Sequence, residues 1–179
     1  MSWNQDLYVR ALDFAEELHR SQKVPGTDRP YVTHLAKVSM EVMAALFHHP
    51  DANADLAVAC AILHDAIEDT EATFELIKEV FGPEVAAGVS ALTKDYRVPK
   101  EDQMRDSLDR ILQQPSEIAM VKLADRITNL APPPAHWNRT KCLAYQAEAR
   151  IILQRLGHAS SLLAQRLQFR IDTYPIPEA

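Results

Sequence analysis

Glycine is scarce in this chain of 179 residues: four in all, and no window alternates β-branched with polar side chains. The usual marks of a sheet are therefore missing, and apolar residues recur instead near the 3.6-residue period of a helix. Cysteine is scarcer. Cys60 and Cys142 alone cannot build a disulfide framework or a four-thiolate zinc site. Both lie within apolar helical patterns, which reads as reduced core thiols of a cytoplasmic protein. Basic excess is absent too, with 19 Lys and Arg against 25 Asp and Glu for a net charge of −6. That argues against nucleic acid, whose binding domains carry positive charge. It leaves room for a small anionic substrate, since one local basic cluster or a bound cation suffices. No apolar run approaches the roughly 20 residues of a membrane span. The opening Met1-Ser2-Trp3-Asn4-Gln5-Asp6 has neither the basic start nor the apolar stretch of a signal peptide. Repeats, low-complexity tracts and linkers are also lacking. One domain over 1–179 is expected, long enough to bury roughly 70% of its unfolded surface.

What the chain does have is a succession of helical stripes, so the expected fold class is all-α. Leu7, Leu12, Phe14, Ala15 and Leu18 stripe a first helix ending by the Gly26-Thr27 turn. Thr33 can cap a second, with Leu35, Val38, Val42, Ala45 and Leu46 on its apolar face, closed by Pro50-Asp51. A third, from about Asp55 to Glu68, is almost continuously apolar and so reads as central. Thr70 or Thr73 opens a fourth, and Gly82-Pro83 divides it from a fifth that runs through Leu92. Residues 94–99 read as a loop. Further helices are expected over 100–113, 116–130, 139–156 and 158–171, with Pro132-Pro133-Pro134 forcing an extended step between two of them.

The chemistry gathers at Leu63-His64-Asp65-Ala66-Ile67-Glu68-Asp69-Thr70. On one continuous helix His64, Glu68, Asp65 and Asp69 would share an arc of about 140°. Burying carboxylates without a cationic partner costs several kcal/mol each. Imidazole and carboxylate together suit a divalent metal such as Mn²⁺, Fe²⁺ or Zn²⁺. Two neighbouring ligands cannot close a site. His34, near the start of the second helix, and Asp125, in Lys122-Leu123-Ala124-Asp125-Arg126-Ile127-Thr128-Asn129, complete a candidate set of His34, His64, Asp65 and Asp125. Each residue alone is a weak signal; their order on three amphipathic helices gives them weight. Lys122 and Arg126, within one turn of Asp125, are expected to support that carboxylate. His19, His48, His49, His136 and His158 lack such context and read as surface or structural.

This order resembles the HD metal-dependent phosphohydrolases, an all-helical superfamily. Pro30-Tyr31-Val32-Thr33-His34, His64-Asp65-Ala66-Ile67-Glu68-Asp69, Phe81-Gly82-Pro83-Glu84-Val85, Leu92-Thr93-Lys94 and Lys122-Leu123-Ala124-Asp125-Arg126 narrow it further. They resemble the hydrolase domain of RelA/SpoT-type alarmone enzymes, over nearly the whole chain and with no length left for a synthetase domain. The resemblance implies a single-domain HD-type helical bundle that uses Mn²⁺ to remove the 3′-pyrophosphate of a purine nucleotide such as ppGpp. It implies His34, His64, Asp65 and Asp125 as metal ligands, and Glu68 and Asp69 as catalytic carboxylates beside the attacking water. Asn129 and Tyr145 would hold the nucleotide. No nucleic acid, membrane or obligate protein partner is implied. Where the family carries an Arg-Lys pair shortly before the first metal histidine, this chain has Val24-Pro25, with Lys23 one place earlier as the expected substrate contact. Ala131 and Pro132 likewise stand where polar residues are common. Both changes point to apolar handling of the base, and so to ppApp as well as ppGpp. The alternatives are an HD phosphohydrolase acting on a 5′-monophosphate or a deoxynucleoside triphosphate, and a non-catalytic alarmone sensor.

Overall fold

A ten-residue helix, Ala54–Leu63, is buried along every residue but Asp55. Its side chains are mostly small, so four neighbours can close on it from different sides. In the computed structural model, which describes residues 3–178, it is α3 of an all-helical domain. Met1, Ser2 and Ala179 lie outside the described residues, and with them the first two residues of the N-terminal reading and both ends of the 1–179 span.

The order is α1 (Gln5–Leu18), α2 (Val32–Leu46), α3, α4 (Ala66–Asp69), α5 (Phe74–Phe81) and α6 (Pro83–Leu92). It continues with α7 (Gln103–Ile111), α8 (Ser116–Asn129), α9 (Arg139–Leu156), a 3₁₀ turn (Gly157–Ala159) and α10 (Ser161–Asp172). Helices α1, α2, α6 and α8 pack around α3, and α9 and α10 cover the far side of α8. The closest approach is at Gly88 of α6, where a Cβ would stand 2.6 Å from Ile118 Cδ1 and 2.8 Å from Cys60 Sγ. Glu41 of α2, buried, is paired by both arms of the Arg166 guanidinium from α10. Both cysteines are free and buried. Among the described residues no helix is long and apolar enough to cross a membrane.

Several boundaries depart from the sequence reading, each for a local reason. Helix α1 ends at Leu18, well before Gly26. Residues 22–31 instead form a small hairpin, with Tyr31 N–H on the Gln22 carbonyl (3.0 Å) and Val24 N–H on the Arg29 carbonyl (2.9 Å). Gly26 turns it at φ 76°, a conformation that suits glycine. Thr33 does not cap α2; its hydroxyl donates to the Pro30 carbonyl (2.8 Å), and Tyr31 takes the cap position. Most consequential, the third helix does not run to Glu68. It stops after Leu63, His64 and Asp65 form a turn, and α4 restarts at Ala66. His158 lies in the 3₁₀ turn, and Ser160, not His158, opens α10 by accepting from Leu163 N–H (3.5 Å).

Candidate active site

Three packed elements bring the candidate ligands together. His34 is the third residue of α2, His64 is the cap residue ending α3, and Asp125 lies on the inner face of α8; all three are buried. One donor atom from each lies within 4.8 Å of the other two. His34 Nε2 stands 3.3 Å from His64 Nε2 and 3.5 Å from Asp125 Oδ1. Asp65, in the turn after α3, brings Oδ2 to 2.9 Å from His64 Nε2 and 3.7 Å from His34 Nε2. The interruption at residues 64–65 changes the expected arc. Asp65 sits at φ −99° and ψ 0°, which swings its carboxylate back onto the histidines.

The second nitrogen of each ring decides what the first can do. His64 Nδ1–H donates to the Ala61 carbonyl (2.9 Å). The Thr128 hydroxyl donates to the Asp125 carbonyl (2.9 Å), so its lone pair is free to accept from His34 Nδ1–H (3.3 Å). Both Nε2 atoms therefore present lone pairs to one another and to two carboxylate oxygens. Such a cluster needs a cation at its centre, and His34, His64 and Asp125 can hold a divalent metal. With only protons available, His64 takes the role. Burial opposes its charge, but Asp65 and Asp125 outweigh burial and push its pKa up to about 10. For Asp65, burial is likewise outweighed by His64, and the carboxyl is held below its usual range.

These atoms form one wall of a cavity of about 380 Å³. Glu68 and Asp69 line it from α4, each with a partner distant in sequence. Lys94 spans Glu68, with Nζ on Oε1 (2.5 Å) and its own backbone N–H on Oε2 (2.9 Å). Gln22 Nε2 donates to Asp69 Oδ2 (2.9 Å), and Gln22 Oε1 accepts from His19 Nδ1–H (2.6 Å). Asn129 lines the same cavity with Nδ2 on Asp125 Oδ1 (2.5 Å). Tyr145 lines it as well and joins it to a chamber of about 210 Å³ bounded by Pro132, Pro134, Trp137 and Tyr174. Burial pushes the Tyr145 phenol up to about 12, although Arg126 pulls the other way.

Two expected placements differ. Lys23 is not brought to the cavity: in the hairpin it bridges Pro30 and turns outward to Asp28 (2.7 Å), while Val24 and Pro25 line the cavity. Arg126 does not support Asp125. A step of 100° along α8 turns it toward α9, where its guanidinium lies 4.3 Å over the Tyr145 ring and reaches Glu148 at 3.5 Å. Lys122 alone of the pair contacts Asp125 (3.1 Å).

Sequence reasoning missed Tyr31, whose hydroxyl donates to Asp65 Oδ2 (2.5 Å) while its ring stacks on His19. It also missed Thr128, Gln22, Lys94 and Lys100 in or behind the cavity wall, and Arg29 and Lys37 in the adjoining chamber. Signals existed for Thr128, three residues after Asp125 on the same helix, and for Tyr31 and Lys94, which stand in segments that carry the family resemblance. The others act across gaps that no spacing rule spans.

Comparison with known proteins bears on the same residues. A family model described as HD domain matches residues 11–160. The guanosine-3′,5′-bis(diphosphate) 3′-pyrophosphohydrolase MESH1 of Xenopus tropicalis is 31% identical over 173 residues, which covers 93% of this chain and 94% of that protein. Its namesake from Danio rerio is 28% identical over 165 residues, covering 89% of each. A solved structure described as a metazoan ortholog of SpoT that hydrolyzes ppGpp superposes with a TM-score of 0.81 at 25% identity, over 96% of this chain and 97% of the other.

Proposed function

The chain belongs to the HD-domain family, in company with the MESH1 pyrophosphohydrolases, and from that premise we propose that it removes the 3′-diphosphate of a purine nucleotide of the ppGpp kind. The observation that carries the reading is the joining of two groups of side chains on one cavity. His34, His64 and Asp125 converge, Asp65 stands 2.9 Å from His64, and Glu68 and Asp69 lie beside them on the same wall. We assign the four converging residues to a divalent metal, with Mn²⁺ as the ion. Bound there, such an ion acidifies water and offsets charge developing on phosphorus.

The protein's own groups then divide the work. Glu68 orients the attacking water and takes its proton, and later returns a proton to the leaving 3′ oxygen. Asp69, held by Gln22, fixes the other side of that water. Asn129 is held by its bond to Asp125 and offers its amide to the sugar-phosphate. The chamber beyond Tyr145 takes the base, with Trp137 and the proline run supplying apolar surface, while Arg29 and Lys37 supply charge for 5′-phosphates. The expected cytoplasmic setting belongs to the same proposal.

The test is incubation of Mn²⁺-loaded protein with ppGpp and, separately, ppApp, followed by chromatography of the products. The expected outcome is pyrophosphate plus the 5′-diphosphate. Release of orthophosphate alone, or no turnover with any first-row divalent ion, overturns the reading. Apolar contact separates guanine from adenine weakly, because strong discrimination needs buried polar groups left unpaired by the wrong base. With Val24 and Pro25 on the wall, kcat/KM for the two substrates should differ by less than about 100-fold.

A further inference from the structure

Both oxygens of Glu68 are occupied, and by one residue. The two bonds differ in kind. Oε2 receives the backbone N–H of Lys94, which is fixed in place: Thr93 ends α6 with its N–H and its hydroxyl on the Val89 carbonyl (3.1 and 2.9 Å), and Arg110 of α7 donates to the Thr93 carbonyl (2.7 Å). Oε1 receives the Lys94 ammonium (2.5 Å), which hangs on a flexible four-carbon stem. The Lys94 side chain is 41% exposed and lines the cavity, whereas Glu68 is 12% exposed. The carboxylate is thus anchored at one oxygen by rigid backbone and covered at the other by a removable cation. The ammonium takes one lone pair of Oε1 and holds a positive charge against it, so it competes there with the proton of an attacking water. Of the other lysines on the cavity wall, Lys122 is engaged by Asp125.

We propose that the Lys94 ammonium is exchanged on substrate binding, leaving Glu68 Oε1 for the 3′-diphosphate and so uncovering the base only when a diphosphate is present. This rests on the reading of the site given above. A diphosphate offers more negative charge and more acceptor oxygens than one carboxylate, and charge-assisted contacts to phosphate are strong. Oε2 stays anchored by the Lys94 N–H, so the freed oxygen keeps its aim. Oε1 then takes one proton from water as the water oxygen bonds to phosphorus. The bond between that phosphorus and the 3′ oxygen breaks, its electron pair stays on the 3′ oxygen, and the proton passes there. When the pyrophosphate leaves, the Lys94 ammonium returns to Glu68 Oε1.

The test is calorimetric titration of inorganic pyrophosphate into the metal-loaded wild type, Lys94→Met, Glu68→Gln and the double variant, with metal content and melting temperature recorded for each. Lys94→Met keeps the backbone anchor, so an unchanged melting curve is expected, with pyrophosphate affinity about tenfold weaker. The distinguishing result is the coupling. Glu68→Gln releases the ammonium in advance, so it should tighten pyrophosphate severalfold when Lys94 is present and much less in the Lys94→Met background. Equal tightening in both backgrounds overturns the proposal, as does wild-type affinity in Lys94→Met. A Lys94→Gln variant repeats the comparison if the methionine variant melts early. These are binding measurements, so failure of alarmone turnover in the wild type would sink the proposed function separately.

Discussion

Replacing Thr128 with valine isolates the support behind His34. The threonine hydroxyl lies 3.3 Å from His34 Nδ1 and donates to the Asp125 carbonyl at 2.9 Å, so it accepts the ring proton and leaves Nε2 bare. Valine keeps the shape and removes the acceptor. His34 is buried, so water cannot take over, and an unpaired buried N–H costs about 1–3 kcal/mol. The contact is long at 3.3 Å, which places the loss near the lower end, about 1 kcal/mol. The ring can escape that cost by moving its proton to Nε2, but that nitrogen is then closed to a metal. Either route weakens the metal by about fivefold, just under the 10–100-fold usual for groups that orient a ligand. The assay is competition with a chromophoric chelator at fixed pH, with Thr128→Ser as control. Serine keeps the hydroxyl and should bind within about threefold of wild type. A Thr128→Val protein that holds metal as tightly as the wild type would refute the assignment of tautomer and of role together.

Other expectations follow from the same geometry. Glu68→Gln leaves the converging histidines and aspartates intact, so metal content should stay near normal while kcat falls by roughly 10²–10⁴, the usual worth of acid–base catalysis; activity within a few-fold of wild type would remove Glu68 from the chemistry. Chelation should lower the melting temperature, by an amount equivalent to about 2.7 kcal/mol when metal had been at 100 times its Kd. In the metal-free protein the raised His64 pKa, about 10 when folded against about 6.5 unfolded, gives stability that is whole below pH 6.5 and fades as pH climbs toward 10. Melting curves in chelator at pH 7 and 9.5 check the sign, and a higher midpoint at 9.5 would contradict it. Gly88→Ala should destabilise by about 1–2 kcal/mol in denaturant, since the new methyl collides with Ile118 and Cys60 and overpacking outweighs the gain in helix propensity.

Apolar spacing made most of the fold legible: α9 falls on its expected bounds, and α6, α8 and α10 within a few residues. His64 and Asp65 could be picked out because they close an almost continuously apolar run, and His34 and Asp125 because their order on separate amphipathic helices completes the set. The interruption of the third helix could not be read. Leu63-His64-Asp65-Ala66-Ile67 holds no glycine or proline, and the turn exists because Asp65 is drawn to His64, Tyr31 and the rest of the cluster. Nor could the partners of the two α4 carboxylates be read. Lys94 is 26 residues from Glu68 and Gln22 is 47 from Asp69, distances that only packing of the helices closes. Lys23 misled for the opposite reason: the hairpin that turns it outward is set by backbone bonds at residues 22–31, which charge and proximity in sequence do not reveal.

The separation of α3 from α4 divides the site by dynamics. Helix α3 lies in the packed centre, and its amides should open only with the whole domain, so His64 is attached to the slowest-exchanging part of the chain. Four residues cannot hold a helix alone, because nucleation costs more than so few hydrogen bonds return. The order of α4 is lent to it by the Thr70 hydroxyl on the Ala66 carbonyl, and by the Lys94 backbone N–H and the Gln22 amide from elsewhere. On the proposed function, His64 is therefore held by the slow-opening core, while the fraction of molecules with both carboxylates in place is a population that neighbouring segments set. If the proposed roles hold, selection acting on the loop after α6 or the hairpin before α2 retunes that population, and with it the rate, without touching His34, His64, Asp65 or Asp125.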